Sequence, residues 1–540
     1  MFLIAAVMFP ILVAAIASGT ASWRRCAGWE PHIRILAAML PAGLLLLAMI
    51  WICAVLAAPE NYWNQARLAP LFSLRYGYHL YYPPGEGPVT GAIYGPLSYL
   101  AYFPSLAASS PIPSLLIGSM TASIYYFAPA AWIFLSGVFR RGEARIVGLS
   151  LLTLFGLWTI GSQPLFASSF NIHADAPALG FGAIACGLLM RETKGQRPVW
   201  LLALSAVFIG LSILSKQSLA FLAPTLVGFV WLTSGRRSAL QFAALIAATF
   251  TAMLAVLCIL FSARALYFNL YAFPSNHGFG HKGVMQMPSR TAASVVETFV
   301  WAGQDLWTYS RWPIFALGVC YVIEISMNHS KPFLLKEWLS RNRWTVFQFV
   351  ALAGLPFAWL FHAKVGGNVN NLAVHLYFLI IGLLLFCGHL ILRHPTVARP
   401  VAAACLILGA TFVPAVFEAP HFVGLIRSPW TSRTQQVYEY TRRHPGETFF
   451  SWYPLPVLMA EGRMDHFEYG VFDRALGLAP ISQEHFLKYI PPHLKYLSGI
   501  YELDGPISKY LPSFRCPVQL PGFPDMPVYG DCGTHDRFLR

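Results

Sequence analysis

Glu60 and Asp175 stand where acid–base chemistry could be done at a membrane edge. Glu60 directly follows the apolar run Ile35–Ala58. A half-desolvated carboxylate gains basicity and suits removal of a proton from a hydroxyl, while the plainer account is a helix-end residue in the headgroup layer. Asp175 lies two residues after His173 in Asn171-Ile-His-Ala-Asp-Ala-Pro. That spacing does not share one helical face, but in an extended or first-turn segment both side chains can point into one cavity. There they could orient an acceptor or hold a divalent metal loosely, though two ligands are not a site and no cofactor is firmly called for. Asp175 balancing a helix dipole is the plainer account. Cations surround these acids in sequence. Arg67, Arg75 and His79 follow Glu60, Lys216-Gln217 interrupts an apolar run, and Lys364 opens the polar stretch that contains Asn368. Such groups could hold a phosphate and the hydroxyls of a sugar, or simply meet lipid headgroups and close helix turns.

These residues are conspicuous because acids are scarce. The first 417 residues carry ten carboxylates, namely Glu30, Glu60, Glu86, Glu143, Asp175, Glu192, Glu297, Asp305, Glu324 and Glu337. The chain is 56% hydrophobic and 11% charged, and runs such as Ile35–Ala58 and Leu372–Leu392 are long enough to span about 30 Å of hydrocarbon. Residues 1–417 hold 25 Lys and Arg against those ten acids, whereas residues 418–540 hold 12 against 13. The basic excess therefore lies in short loops between apolar segments. That is the pattern of positive-inside topology and lipid contact rather than of nucleic-acid binding.

Placing the clusters around Arg24/Arg25/Arg34, Arg140/Arg141/Arg145, Arg191/Lys194/Arg197, Arg236/Arg237, Lys331–Arg343 and Arg393/Arg399 inside gives a consistent alternation. The expected spans are 1–18, 35–58, 112–139, 145–163, 174–190, 199–215, 217–233, 239–263, 312–327, 344–362, 371–391 and 400–417. The expected fold class is an all-α polytopic membrane protein of about 12 transmembrane helices with a small C-terminal α/β extracytoplasmic domain, divided into residues 1–417 and 418–540. Four outer segments follow, 59–111, 162–173, 262–311 and 363–371, with the Lys216–Gln217 turn also outside. Within them Tyr94–Leu106 is expected as an interfacial helix, and Glu297 and Asp305 lie on a second amphipathic stretch. The glycine-bearing segment around Asn276-His277 and His281-Lys282 reads as a substrate-covering loop. Cys516 and Cys532 fall in the tail, where an oxidising space would let them pair, and the other seven cysteines read as apolar packers.

The long first outer loop with an acid at its membrane edge resembles the GT-C superfamily of integral-membrane glycosyltransferases. Tyr94-Gly-Pro-Leu-Ser-Tyr99 is similar to the Pro-Pro-Leu-x-Tyr element of the protein O-mannosyltransferase and aminoarabinose transferase families. His173-Ala-Asp175, the Lys216-Gln217 turn and the outer tail extend the likeness. The resemblance implies a polyprenyl-phosphate sugar donor, a glycan, lipid or protein acceptor, and transfer with inversion. Carried over, Glu60 would be the base, although the family often has paired acids where this chain has Asn61. Asp175 and His173 would orient the acceptor or base, and Lys216, Arg75 and Arg67 would hold the phosphate. The setting implied is the bacterial inner (plasma) membrane, with the site and tail extracytoplasmic. The competing readings are a transporter or flippase of lipid-linked saccharides, and a polysaccharide polymerase or ligase of another membrane fold.

Overall fold

A computed structural model describes residues 13–14, 17–24, 28–136, 139, 142–191, 198–279, 291–327, 335–411, 432–477, 479–498 and 507–535. Up to Thr411 the regular structure of the described residues is helical, apart from one isolated bridge between Phe279 and Lys364. The longer helices are α1 (Pro31–Leu56), α2 (Tyr62–Ser73), α3 (Pro111–Phe134), α4 (Gly142–Gly161), α5 (Gln163–Phe170), α6 (Asp175–Met190), α7 (Val199–Ser215), α8 (Leu222–Ser234), α9 (Arg236–Phe261), α10 (Ala292–Met327), α11 (Val346–Ala363), α12 (Ala373–Arg393) and α13 (Pro395–Thr411).

A helix stands at every expected span from 35–58 onward, while the expected span 1–18 lies almost wholly outside the described residues. Length and composition qualify 6 of the described helices to cross a membrane, or up to 7 if α5 and α6 form one span bent by 97°. The most apolar stretch of α12 is 94% buried and that of α9 only 6%, so α12 is the central helix and α9 is the one that faces outward. A buried apolar helix at the centre and an exposed apolar helix at the edge is the arrangement expected where lipid, rather than water, covers the periphery.

Two elements differ from the sequence expectation. Tyr94–Leu106 is not one interfacial helix but two short turns, Leu97–Leu100 and Phe103–Ala107. Two of its rings are drawn inward, while Phe103 stays exposed. Tyr99 and Tyr102 are buried, and a Cβ on Gly95 would lie 1.8 Å from the Leu214 carbonyl, so the chain touches the end of α7 there. The amphipathic stretch bearing Glu297 and Asp305 is continuous with the following span as the 36-residue α10. Nothing between Ala292 and Arg311 stops a helix except a lone Gly303, and propagation costs little once a helix is nucleated. Glu324, near the inner end of α10, is buried and accepts from His394 at 3.1 Å.

The tail carries α14 (Arg433–Arg443), α15 (Pro454–Glu461) and α16 (Glu468–Leu476). They accompany a sheet of β1 (Thr448–Phe450), β2 (Tyr496–Ser498), β3 (Phe514–Pro517) and β4 (Val528–Asp531) in the order β1-β2-β4-β3. β1 and β2 are parallel and the other two pairs antiparallel, giving the small α/β module expected. Cys516 and Cys532 are joined by a disulfide, with their Cα atoms 5.3 Å apart. Trp452, Leu455, Leu458, Phe467 and Tyr469 belong to the same hydrophobic cluster as the long helices, so this side of the tail is packed into the rest of the molecule.

Candidate active site

The chain breaks its helical ladder between α5 and α6, and side chains take up the freed backbone groups. Asn64 Oδ1 accepts from Ile172 N (2.8 Å), Ser119 Oγ donates to Phe170 O (2.8 Å), and the Tyr102 hydroxyl donates to His173 O (2.7 Å) while accepting from His173 N (3.0 Å). Irregular backbone at membrane depth is tolerated only when so satisfied. This holds Asn171, His173 and Asp175 in a defined order. Asp175, 1% exposed, receives Lys216 Nζ on Oδ1 and Asn370 Nδ2 on Oδ2 at 2.6 Å, with His173 Nδ1 also on Oδ2. Lys216 Nζ donates further to Asn371 Oδ1 at 2.9 Å. A buried carboxylate needs this much compensation, because an unpaired charge in low dielectric is costly. The Lys216 ammonium occupies the place beside Asp175 that a divalent ion would need, so His173 and Asp175 do not fit a metal.

Above this cluster lies a cavity of about 170 Å³. Its wall comes from all four segments expected outside, 59–111, 162–173, 262–311 and 363–371. The first supplies Asn61, Trp63, Arg67, Gly91, Ile93, Tyr94 and Tyr99, the second Ala167, Asn171 and His173, the third His277, and the fourth Val365, Gly366, Asn368, Asn370 and Asn371. Tyr469 and Asp473 come from α16 in the tail. Asn61 caps α2 by accepting from Trp63 N (3.0 Å) and donates to Asn171 Oδ1 (2.9 Å). The Arg67 guanidinium lies 5.2 Å from the Trp63 ring and has no hydrogen bond or ion pair among the described residues. His277 is drawn down to about 4 by burial and by nearby Lys364, so at neutral pH it is an uncharged imidazole. Asp473 is pushed up to about 7 by burial, which Arg474 only partly opposes.

The sequence-selected residues divide around this cavity. Arg67, His173 and Asn368 line it, and Asp175 supports it from beneath. Lys216 is committed to Asp175, and Gln217 Nε2 holds the Ile93 carbonyl at 2.9 Å, which fixes the first outer loop without meeting the cavity. Lys364 Nζ donates to Pro274 O (2.7 Å), tying the fourth segment to the third. Arg75 donates to the carbonyls of Leu106 and Ala108, and His79 is exposed against Tyr82. Glu60 is exposed at the end of the turn Ala58–Glu60, with Arg433 and Tyr453 as its electrostatic neighbours, and is not among the lining residues. The neighbouring Asn61 takes the inward position. His281, Lys282 and Arg290 lie outside the described residues.

No family model matches the chain, and no curated protein does. Among the solved structures similar to it are two of ArnT from Cupriavidus metallidurans, one bound to undecaprenyl phosphate and one in the apo state. Each shows 10% sequence identity and a TM-score of 0.49, covering 91% of this chain and 98% of the other.

Trp63, Gly91, Tyr469 and Asp473 line the cavity without having been singled out from the sequence. One signal pointed to α16. Gly470 sits mid-helix, where a glycine is unfavourable unless backbone must come close. A Cβ there would lie 2.7 Å from Gly91 N and 2.9 Å from Val89 O.

Proposed function

We propose that this protein is an integral-membrane glycosyltransferase that moves a sugar from a polyprenyl-phosphate-linked donor to an acceptor hydroxyl, with inversion, on the extracytoplasmic face. The observation that carries this reading is the composition of the cavity wall. One uncommitted guanidinium faces a row of carboxamides, Asn61, Asn171, Asn368, Asn370 and Asn371, and the rings of Trp63, Tyr94 and Tyr99. Arg67 matches a phosphate by charge and fork geometry. Amides exchange hydrogen bonds with sugar hydroxyls, and aromatic faces cover the apolar side of a pyranose. Asp175, Lys216 and His173 act as positioning residues that fix Asn370 and Asn371 at the cavity floor. The Cys516–Cys532 disulfide supports an oxidising setting for the tail.

The test is transfer by the purified protein in lipid nanodiscs, using labelled polyprenyl-phosphate sugars and membrane-extract acceptors. Label should move to acceptor with release of polyprenyl phosphate. Arg67→Ala should weaken polyprenyl phosphate binding about 10- to 100-fold, the worth of a charged hydrogen-bonding contact. Unchanged phosphate affinity in that variant would remove Arg67 from the donor site.

A further inference from the structure

We propose that Asp473, carried by the tail, is the catalytic proton acceptor of this transfer; the assignment rests on the glycosyltransferase reading above. Among the described residues its carboxylate receives no hydrogen bond and no ion pair within 4 Å, although it lines the same cavity as Arg67, Tyr94 and Tyr99. The adjacent Arg474 does not compensate it directly. That guanidinium turns onto the rings of Phe268 (4.3 Å) and Phe273 (4.9 Å) in the third outer segment.

The position of the acid is fixed on both sides. Phe467 N donates to Val89 O (2.9 Å), the Tyr469 hydroxyl donates to Thr90 O (2.5 Å), and His277 Nε2 meets Asp473 O at 3.3 Å. A half-buried carboxylate without a hydrogen bond or ion pair among the described residues, pushed up to about 7 by desolvation that Arg474 only partly opposes, is matched to general-base work near neutral pH. The other acids are worse placed. Glu60 lies outside the wall, and both oxygens of Asp175 are taken. His173 is drawn down to about 4 by burial, with Arg67 and Lys216 adding to the shift and Asp175 opposing it, so it holds a proton less well near neutral pH than Asp473 does.

The step balances without a further reactant. The acceptor oxygen forms a bond to the anomeric carbon as its proton passes to an Asp473 carboxylate oxygen. The bond from the anomeric carbon to the phosphate oxygen breaks, and its electron pair leaves on polyprenyl phosphate. Solvent then takes the proton from the carboxylic acid.

The experiment is the pH dependence of kcat for wild type, Asp473→Asn, Asp473→Glu and Glu60→Gln in nanodiscs, with polyprenyl phosphate binding as the control for folding. Wild-type kcat should rise along a limb centred near pH 7. Asp473→Asn should lose roughly 10²- to 10⁴-fold in kcat and the limb with it, while polyprenyl phosphate affinity stays within about threefold. Asp473→Glu should recover part of the rate together with the limb. A wild type that transfers sugar while Asp473→Asn keeps its rate and limb overturns the base assignment alone, and loss in Glu60→Gln would then move the role to Glu60. A wild type that transfers from no labelled donor overturns the glycosyltransferase reading itself.

Discussion

At Lys216 the ammonium has no route to a substrate, because Asp175 and Asn371 hold it and it is 3% exposed. Removing it should behave as a structural lesion. Lys216→Met leaves Asp175 charged and buried, and should cost about 3–5 kcal/mol, read as a large fall in melting temperature in nanodiscs. Asp175→Asn strands the Lys216 ammonium and sets a donor against Asn370 Nδ2, so its loss should be of similar size; a double variant that costs as much as the two single variants added together would mean that the pair is not coupled. The same residues show what was legible in the sequence. Scarcity of acids made Asp175 and His173 conspicuous, and both are at the site. Their pairing with a lysine 41 positions later was not legible, since hydropathy says nothing of which turns meet. Glu60 and Asn61 differ by one step in a tight turn, and whether the acid or the amide faces inward depends on how α2 leaves that turn. Asp473 was hidden among the tail's 13 carboxylates, none of them unusual in a polar segment.

The first outer loop and α16 set each other's position. Gly91, at φ +64°, offers the Tyr469 ring a surface that a Cβ would block at 2.3 Å, while Gly470 brings the helix backbone against the same loop. Gly470→Ala should therefore push α16 outward by a fraction of an ångström to an ångström. Loss of that alignment is expected to lower kcat by about 10- to 100-fold with little change in polyprenyl phosphate affinity, as measured by transfer kinetics beside a binding titration. Parallel losses in rate and affinity would mean that the helix holds the donor instead. Helices along the chain were readable from apolar runs because the bilayer demands them. The loop's inward fold was not, because its aromatic pattern equally suits the interface, and only contacts such as Gly95 against Leu214 decide between the two.

Across the molecule, the tail's docking face carries three carboxyls that burial raises, Asp465 to about 6 and Glu468 and Asp473 to about 7. Each binds its proton more tightly folded than unfolded, so each contributes stability at low pH that is lost as pH rises through the folded value. Buried His277 and His466, drawn down to about 4 and 3, act in the opposite sense below about pH 6.5. The two sets oppose one another in mild acid. The stability that protonated Asp473 contributes should be lost as pH rises from about 5 to about 8, so the melting temperature of wild type relative to Asp473→Asn should fall across that window; a difference that stays flat or rises contradicts the desolvation assigned to this carboxyl. α16 follows in sequence every other segment that lines the cavity, which has a consequence for the order of synthesis. Ribosomes make the segments lining the rest of the cavity before they make Asp473. Under the proposal that Asp473 is the proton acceptor, a nascent chain stays chemically inert until α16 has been made and docked.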